Sequence, residues 1–220
     1  MIAKSPDGWL EQKKRRLLAK IEKDGIPAKI LARMSDVPRE MFVPSSLTHA
    51  SWDDTALPID AGQSISQPTV VAWMTTLLQP DARMRVLEIG TGCGYQTAIL
   101  AKLFRRVYTI ERHRVLFEQA SKRFAELRLR NVTAKRGDGA LGWRENLPFP
   151  RIIVTAAAPH LLKAWVQQLA PDGILIAPLP DAQGALRITR VSLHNGHLKS
   201  EAFMPVRFVP LISPTFEKNP

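Results

Sequence analysis

Gly90, Gly92 and Gly94 recur at every second position of Arg85-Val-Leu-Glu-Ile-Gly-Thr-Gly-Cys-Gly-Tyr95, between a short apolar run and a segment, Tyr95 to Leu103, with helical spacing. Glycines there permit positive φ and let a ligand lie against the main chain without meeting a Cβ, while the start of the helix aims free N–H groups at it. Many nucleotide-binding sheets share such a turn. Val107-Tyr-Thr-Ile-Glu111 adds a carboxylate at the end of the next apolar strand, about 20 residues past the first glycine, where such folds hold a ribose. The pair predicts an adenosine-type ligand. Gly137-Asp138-Gly139 places a second carboxylate at a strand end, able to accept from an exocyclic amine or a backbone N–H, although the triplet is also an ordinary turn. Finally, Gln63-Ser-Ile-Ser66-Gln67 offers hydroxyls and amides that can orient a carboxylate. Ser66 equally suits the N-cap of a following helix with Pro68 in its first turn, and spacing alone favours the cap.

The elements that must position these groups follow from periodicity. Trp9 to Lys23 is an amphipathic helix with Leu10, Leu17, Leu18 and Ile21 near one stripe and Lys13 to Arg16 as a basic block. Gly25-Ile-Pro27 ends it, Ala28 to Ser35 reads as a second helix, and Val37 to Pro44 packs as an arm. Val70, Val71, Met74, Leu77 and Leu78 give a helix over Thr69 to Leu78. After the glycine strand come a strand over Val107 to Ile110, a helix over Arg114 to Arg128, and strands over Val132 to Lys135 and Arg151 to Thr155. A helix over Leu161 to Leu169 and a strand over Gly173 to Ala177 complete the alternation. This succession predicts a doubly wound α/β fold with a mostly parallel sheet whose ligands sit at the carboxyl ends of the strands. Glycines 90 to 94, Glu111, Asp138 and Thr155 to Pro159 all fall at those ends. Leu186 to Leu193 and His197 to Phe208, joined at Asn195-Gly196, read as an antiparallel pair closing the sheet, with a slip of apolar parity between Ile188 and Val191 that marks a bulge. The Pro214 to Pro220 tail is expected to fray.

With 220 residues, 45% of them hydrophobic and 23% charged, the chain is long enough for one well-buried domain. No apolar run approaches the roughly 20 residues that span a bilayer, and no apolar leader opens the chain. The sequence therefore reads as a cytoplasmic protein without membrane insertion. Its single cysteine, Cys93, allows no internal disulfide and reads as a small packing residue of the turn. No His and Cys grouping has metal-ligand spacing, so no metal is expected. The formal charge of +11 favours anionic partners: nucleic acid, an acidic surface, or carboxylate-bearing substrates. The Lys13 to Arg16 block lacks interleaved aromatics, so a solvated helix face outweighs nucleic-acid contact.

Over roughly residues 30 to 212 the sequence resembles the protein-L-isoaspartate (D-aspartate) O-methyltransferase family. The segments that carry the likeness are Val37 to Pro44, Ala56 to Ile59, Gly62 to Pro68, Val86 to Tyr95, Gly137 to Gly139, Arg151 to Pro159 and Val206 to Leu211. The glycine turn is general to class I methyltransferases; Gln-Ser-Ile-Ser-Gln-Pro together with Thr-Ala-Ala-Ala-Pro is far more specific. The resemblance implies a seven-stranded class I sheet and S-adenosyl-L-methionine as cofactor. It divides the chain into a helical arm with the substrate loop at 1–79, a cofactor-binding domain at 80–212 and a tail at 213–220. By the same likeness Glu88, Gly90, Thr91 and Gly92 line the methionine and ribose region, Glu111 holds the ribose hydroxyls, and Asp138 with Gly139 meets the adenine. Ser66 is placed beside the methyl-transfer centre as the catalytic residue. Ile65, Gln67, Ala156, Ala157, Ala158 and Pro159 shape the peptide site. Three positions depart from the family's habit: Thr69, Pro150 and Pro171-Asp172-Gly173. Thr69 bears on substrate preference.

The implied reaction transfers a methyl to the free carboxylate of isoaspartyl residues in damaged proteins, whose ester then closes to a succinimide. A carboxyl with an ordinary pKa of about 4 is already ionised at neutral pH, so no general base is needed. Alignment and removal of water do the work, and the candidate site accordingly holds no His and carboxylate dyad. The enzyme is expected to act as a monomer on isoaspartyl proteins and peptides. The alternatives are a carboxylate methyltransferase with a dedicated peptide or small acid, a basic nucleic-acid-associated methyltransferase, and a non-catalytic cofactor-binding module. No base-flipping motif of the Asn-Pro-Pro-Tyr kind supports the second of these.

Overall fold

A computed structural model of the chain describes residues 6–213; the expected frayed tail, 214–220, lies outside them. The arm contains α1 (Pro6–Lys23), α2 (Ala28–Ser35) and two 3-10 turns, Arg39–Phe42 and Ser45–Ala50. A two-stranded ribbon, β1 (Leu57–Pro58) against β2 (Ser64–Ile65), then leads into α3 (Pro68–Leu77). The core continues as β3 (Arg85–Ile89), α4 (Tyr95–Ala101), β4 (Arg106–Glu111), α5 (Arg114–Glu126), β5 (Val132–Arg136) and β6 (Phe149–Val154). It ends with α6 (Lys163–Val166), β7 (Leu169–Pro180), β8 (Leu186–His194) and β9 (His197–Pro205).

The seven strands lie in the order β5-β4-β3-β6-β7-β8-β9, parallel through β7 and antiparallel for the last two. The mostly parallel sheet closed by an antiparallel pair is what the alternation predicts, and its seven strands are what the resemblance implies. Strand parity explains why β3, β6 and β7 are apolar nearly throughout. Val86, Ile153, Ile174 and Ile176 enter one core with Ile21, Met34, Phe42, Met74 and Ile99 from the arm, α3 and α4. Leu87, Ile89, Ile152, Val154, Leu175 and Ala177 enter a second core on the other face with Trp143, Phe149 and Trp165. A strand covered on both faces has no water-facing side to fill with polar residues. α3 is buried almost all round because it lies between arm and sheet, whereas α5 buries only Leu116, Ala120 and Phe124, spaced one turn apart.

Two expectations are revised. The helix expected over Leu161 to Leu169 is a single turn, because Leu169 already pairs with Phe149 in the sheet and Trp165 anchors the crossover by donating to the Gly139 carbonyl at 2.9 Å. Ser66 does not cap α3: Gln67 occupies that position with no side-chain cap, and the Asp54 carboxylate instead accepts from the Thr69 N–H at 3.1 Å and its hydroxyl at 2.7 Å. The ribbon β1–β2 is too short for any alternation to announce it. The bulge in the terminal hairpin falls between Arg187 and Thr189, next to the parity slip.

α1 lies on the arm. Lys13 pairs with Asp53 and Lys20 with Asp54 at 3.0 Å, while Lys14 and Arg15 both reach Glu11. Most of the basic block is thus matched by local carboxylates.

Candidate active site

At the carboxyl ends of β3, β4 and β6 a cleft of about 910 Å³, counted out to its open mouth, runs between the glycine turn and the loop before α3. Its lining includes Ser64, Ile65 and Ser66 from that loop, Gly90, Thr91 and Gly92 from the turn, Glu111 and Gly139, and Thr155 and Ala156 at the end of β6. Ile89, Ile110, Leu116 and Leu211 make the floor and one end apolar.

The glycine turn is built as its spacing requires. Gly90 has φ of +96° and Gly92 of +55°, and both first amides of the turn, Gly90 and Thr91, donate to the Ile110 carbonyl. A Cβ on Gly90 falls 2.4 Å from the Thr155 hydroxyl, whereas one on Gly92 points into space with only Ile59 Cδ1 at 3.9 Å. The Gly92 backbone therefore faces whatever occupies the cleft. Glu111 is nearly buried, and its two carboxylate oxygens accept from the Gly92 N–H at 2.7 Å and the His113 N–H at 2.8 Å. It is oriented at the cleft wall with its remaining lone pairs able to take hydroxyl donors.

These residues fit an adenosine-bearing cofactor: a bare glycine backbone, an oriented acceptor for a diol, and an apolar slot for a flat base. Gly139 forms part of that slot, and its backbone lies so close to Ile89 that a Cβ would come within 2.4 Å of it.

Other expected residues sit away from the wall. Glu88 is fully buried beneath the turn, where Thr97 and Thr109 donate to one oxygen and the other has no partner. The alternation of β3 turns its side chain away from the cleft, which it does not line. Asp138 accepts from the Ala140 N–H and the Ser213 hydroxyl at a neighbouring depression. Ala157 exchanges backbone hydrogen bonds with Val209 and Leu211 and so fixes the chain that lines the cleft there, while the Ala158 N–H donates to the Pro178 carbonyl at 3.4 Å; neither residue forms the wall. Pro159 is exposed, and Gln67 stands just behind Ser66. Thr69 is buried on Asp54 and does not reach the cleft, so it affects the substrate loop only through the arm.

Thr155, expected at a strand end, lines the wall and donates through its hydroxyl to the Gly90 carbonyl; Gln96 on α4 and Val209 to Ile212 are wall residues to which the sequence reading gave no role. Among the described residues, no three His, Cys, Asp or Glu side chains converge as a metal site, and no helix is long and apolar enough to cross a membrane.

Burial pushes the Glu88 carboxyl up to about 8, against the two threonine hydroxyls that favour its anion; the charge of Glu111 adds to the rise. At neutral pH it is a protonated acid. Below the ordinary value of 4.5 both folded and unfolded chains hold this proton; between there and about 8 only the folded chain does, so stability falls as pH rises across that window and levels above it. At about 1.4 kcal/mol per pH unit, the loss is on the order of a few kcal/mol. Glu88→Gln is expected to flatten this slope, read from urea midpoints at pH 5 and pH 8. Parallel wild-type and variant profiles would contradict the buried acid.

A family model described as protein-L-isoaspartate(D-aspartate) O-methyltransferase matches residues 12–215. The protein-L-isoaspartate O-methyltransferase of Parvibaculum lavamentivorans is 48% identical over 205 residues, 92% of each chain. That of Aeromonas hydrophila is 50% identical over 184 residues, 84% of this chain and 89% of the relative. Among solved structures, a protein-L-isoaspartate O-methyltransferase superposes with a TM-score of 0.81 at 26% identity, over 91% of this chain and 66% of that longer one. A beta-aspartate methyltransferase from Plasmodium falciparum, solved with S-adenosyl-L-homocysteine, shares the fold at a TM-score of 0.77 and 23% identity, over 90% of this chain and 97% of that one.

Proposed function

Because the chain belongs to the protein-L-isoaspartate(D-aspartate) O-methyltransferase family, we propose a division of labour across its cleft: the glycine turn and Glu111 hold the cofactor, and the Ser66 loop presents the substrate carboxylate. The enzyme methylates the free carboxylate of L-isoaspartyl and D-aspartyl residues in damaged proteins, which initiates repair through a succinimide. S-adenosyl-L-methionine supplies the electrophilic methyl group.

The observation that carries the assignment of roles is that Ser66 and Gly92 line one and the same cleft. Gly90, Thr91, Gly92, Glu111 and Gly139 are proposed to contact the cofactor directly. Glu88 and Asp138 support it from behind, through Thr97 and Thr109 under the turn and through Ala140 beside the base slot. Ile65 and Ala156 form the peptide side of the wall; Gln67, Ala157, Ala158 and Pro159 shape it from the second layer. The Ser66 hydroxyl makes no internal hydrogen bond among the described residues, while its carbonyl is held in place. It is thus a free donor on a fixed mount, suited to orient an anion that needs no deprotonation. The apolar wall around it removes water from that anion, which raises its reactivity.

We propose residues 1–79 as the arm that carries the substrate loop and 80–212 as the cofactor domain. We propose that the enzyme acts as a monomer in the cytoplasm, a compartment suited to its free, buried Cys93. The paired charges of the Lys13 to Arg16 block favour its reading as a helix face over nucleic-acid contact.

Ser66→Ala is expected to lower kcat about tenfold, the usual scale for losing one orienting hydrogen bond, while the Kd for S-adenosylhomocysteine stays within about twofold. Titration calorimetry beside steady-state kinetics on an isoaspartyl peptide reads both. Equal loss of turnover and cofactor affinity contradicts the role.

A further inference from the structure

The group that fixes Ser66 lies in the arm, outside the cleft. Arg39, in the 3-10 turn Arg39–Phe42, is fully buried. Its Nε donates to the Ser51 carbonyl at 2.6 Å, and one terminal nitrogen donates to the Ser66 carbonyl at 2.8 Å. The guanidinium carbon stands 4.7 Å from the centre of the Tyr95 ring, and the other terminal nitrogen has no hydrogen-bond partner. Ser66 and Tyr95 are both wall residues, so Arg39 grips the back of the site on two sides. Among the described residues no carboxylate pairs with it. Burying a guanidinium against two carbonyls and a ring is expensive, and a fold alone has cheaper ways to tie a loop down.

We propose that Arg39 is a positioning residue for methyl transfer: by holding the Ser66 carbonyl it sets the direction of the Ser66 hydroxyl toward the substrate carboxylate. Asp54 grips the same segment from its other end through the Thr69 amide and hydroxyl. The loop from Ser66 to Thr69 is therefore set from the arm, while the sheet sets the cofactor. Small misplacements at such a centre cost rate far more than affinity. The inference rests on the reading of Ser66 as the orienting donor.

The test is a double-variant cycle of Arg39→Lys, Ser66→Ala and the pair, with kcat on an isoaspartyl peptide expressed per site competent to bind S-adenosylhomocysteine. Counting competent sites separates misfolded protein from slow protein. Lysine keeps the charge but offers a point donor in place of the fork, so it cannot hold both carbonyls. Arg39→Lys is expected to cut kcat per site about tenfold when Ser66 is present and less than about twofold when it is alanine, because the two residues act as one unit. The Kd for S-adenosylhomocysteine stays within about twofold throughout. Arg39→Gln, neutral and easier to bury, is carried through the same cycle with the same expectation. An equal loss on both backgrounds, or full turnover in both Arg39 variants, overturns the proposal. Full turnover in Ser66→Ala alone removes its premise, and is recognised because it shows in the single variant.

Discussion

Replacing Gly90 with alanine is expected to weaken binding of S-adenosylhomocysteine about 100-fold, close to 2.7 kcal/mol. Two costs combine. The backbone at Gly90 sits at φ of +96°, where an L side chain is strained. The new methyl also falls 2.4 Å from the Thr155 hydroxyl, which donates to the carbonyls of Ile89 and Gly90 and holds the end of β6 against the turn. Relief requires Thr155 to move, and with it a residue that lines the cleft. Calorimetric titration of the variant with S-adenosylhomocysteine checks this; a Kd within about threefold of wild type would show that the turn tolerates a side chain and that its glycines serve something else.

Glu111→Ala is expected to weaken the same binding by about 30- to 100-fold. The carboxylate holds the amides of Gly92 and His113, and hydrogen bonds to a charged acceptor contribute roughly 1.5–3 kcal/mol each. Its loss frees the Gly92 backbone from the position it takes at the cleft and removes the acceptor proposed for the ribose diol. Glu111→Gln retains an acceptor without the charge and should fall between wild type and alanine. Turnover at saturating cofactor should recover most of its value in both variants, since Glu111 touches neither Ser66 nor the peptide side. Unchanged affinity with collapsed turnover would place Glu111 at the reacting atoms instead.

Much of this was legible in the chain. The strands β3, β6 and β7 declare themselves by apolar runs, and the glycine turn followed by Glu111 points to the residues that line the cleft. What stayed hidden depends on contacts between distant segments. Leu161 to Leu169 has helical spacing, yet strand pairing at Leu169 shortens the helix to one turn. Ser66 has the type and place of an N-cap, yet Asp54, remote in sequence, takes over at Thr69 and leaves the serine hydroxyl to the cleft. Glu88 falls within the motif, but strand parity turns its side chain inward. Arg39 looks like one more surface cation in a basic chain; only the folded arm shows it buried behind Ser66.

The central claim is that one cleft brings a methyl donor on the glycine turn to a carboxylate held by the Ser66 loop. Its most direct test offers the purified enzyme methyl-labelled S-adenosylmethionine with an isoaspartyl peptide, its normal aspartyl twin and RNA in parallel. The account predicts base-labile label on the isoaspartyl peptide alone, lost in step with turnover in Ser66→Ala; label on RNA, or equal label on both peptides, would contradict it.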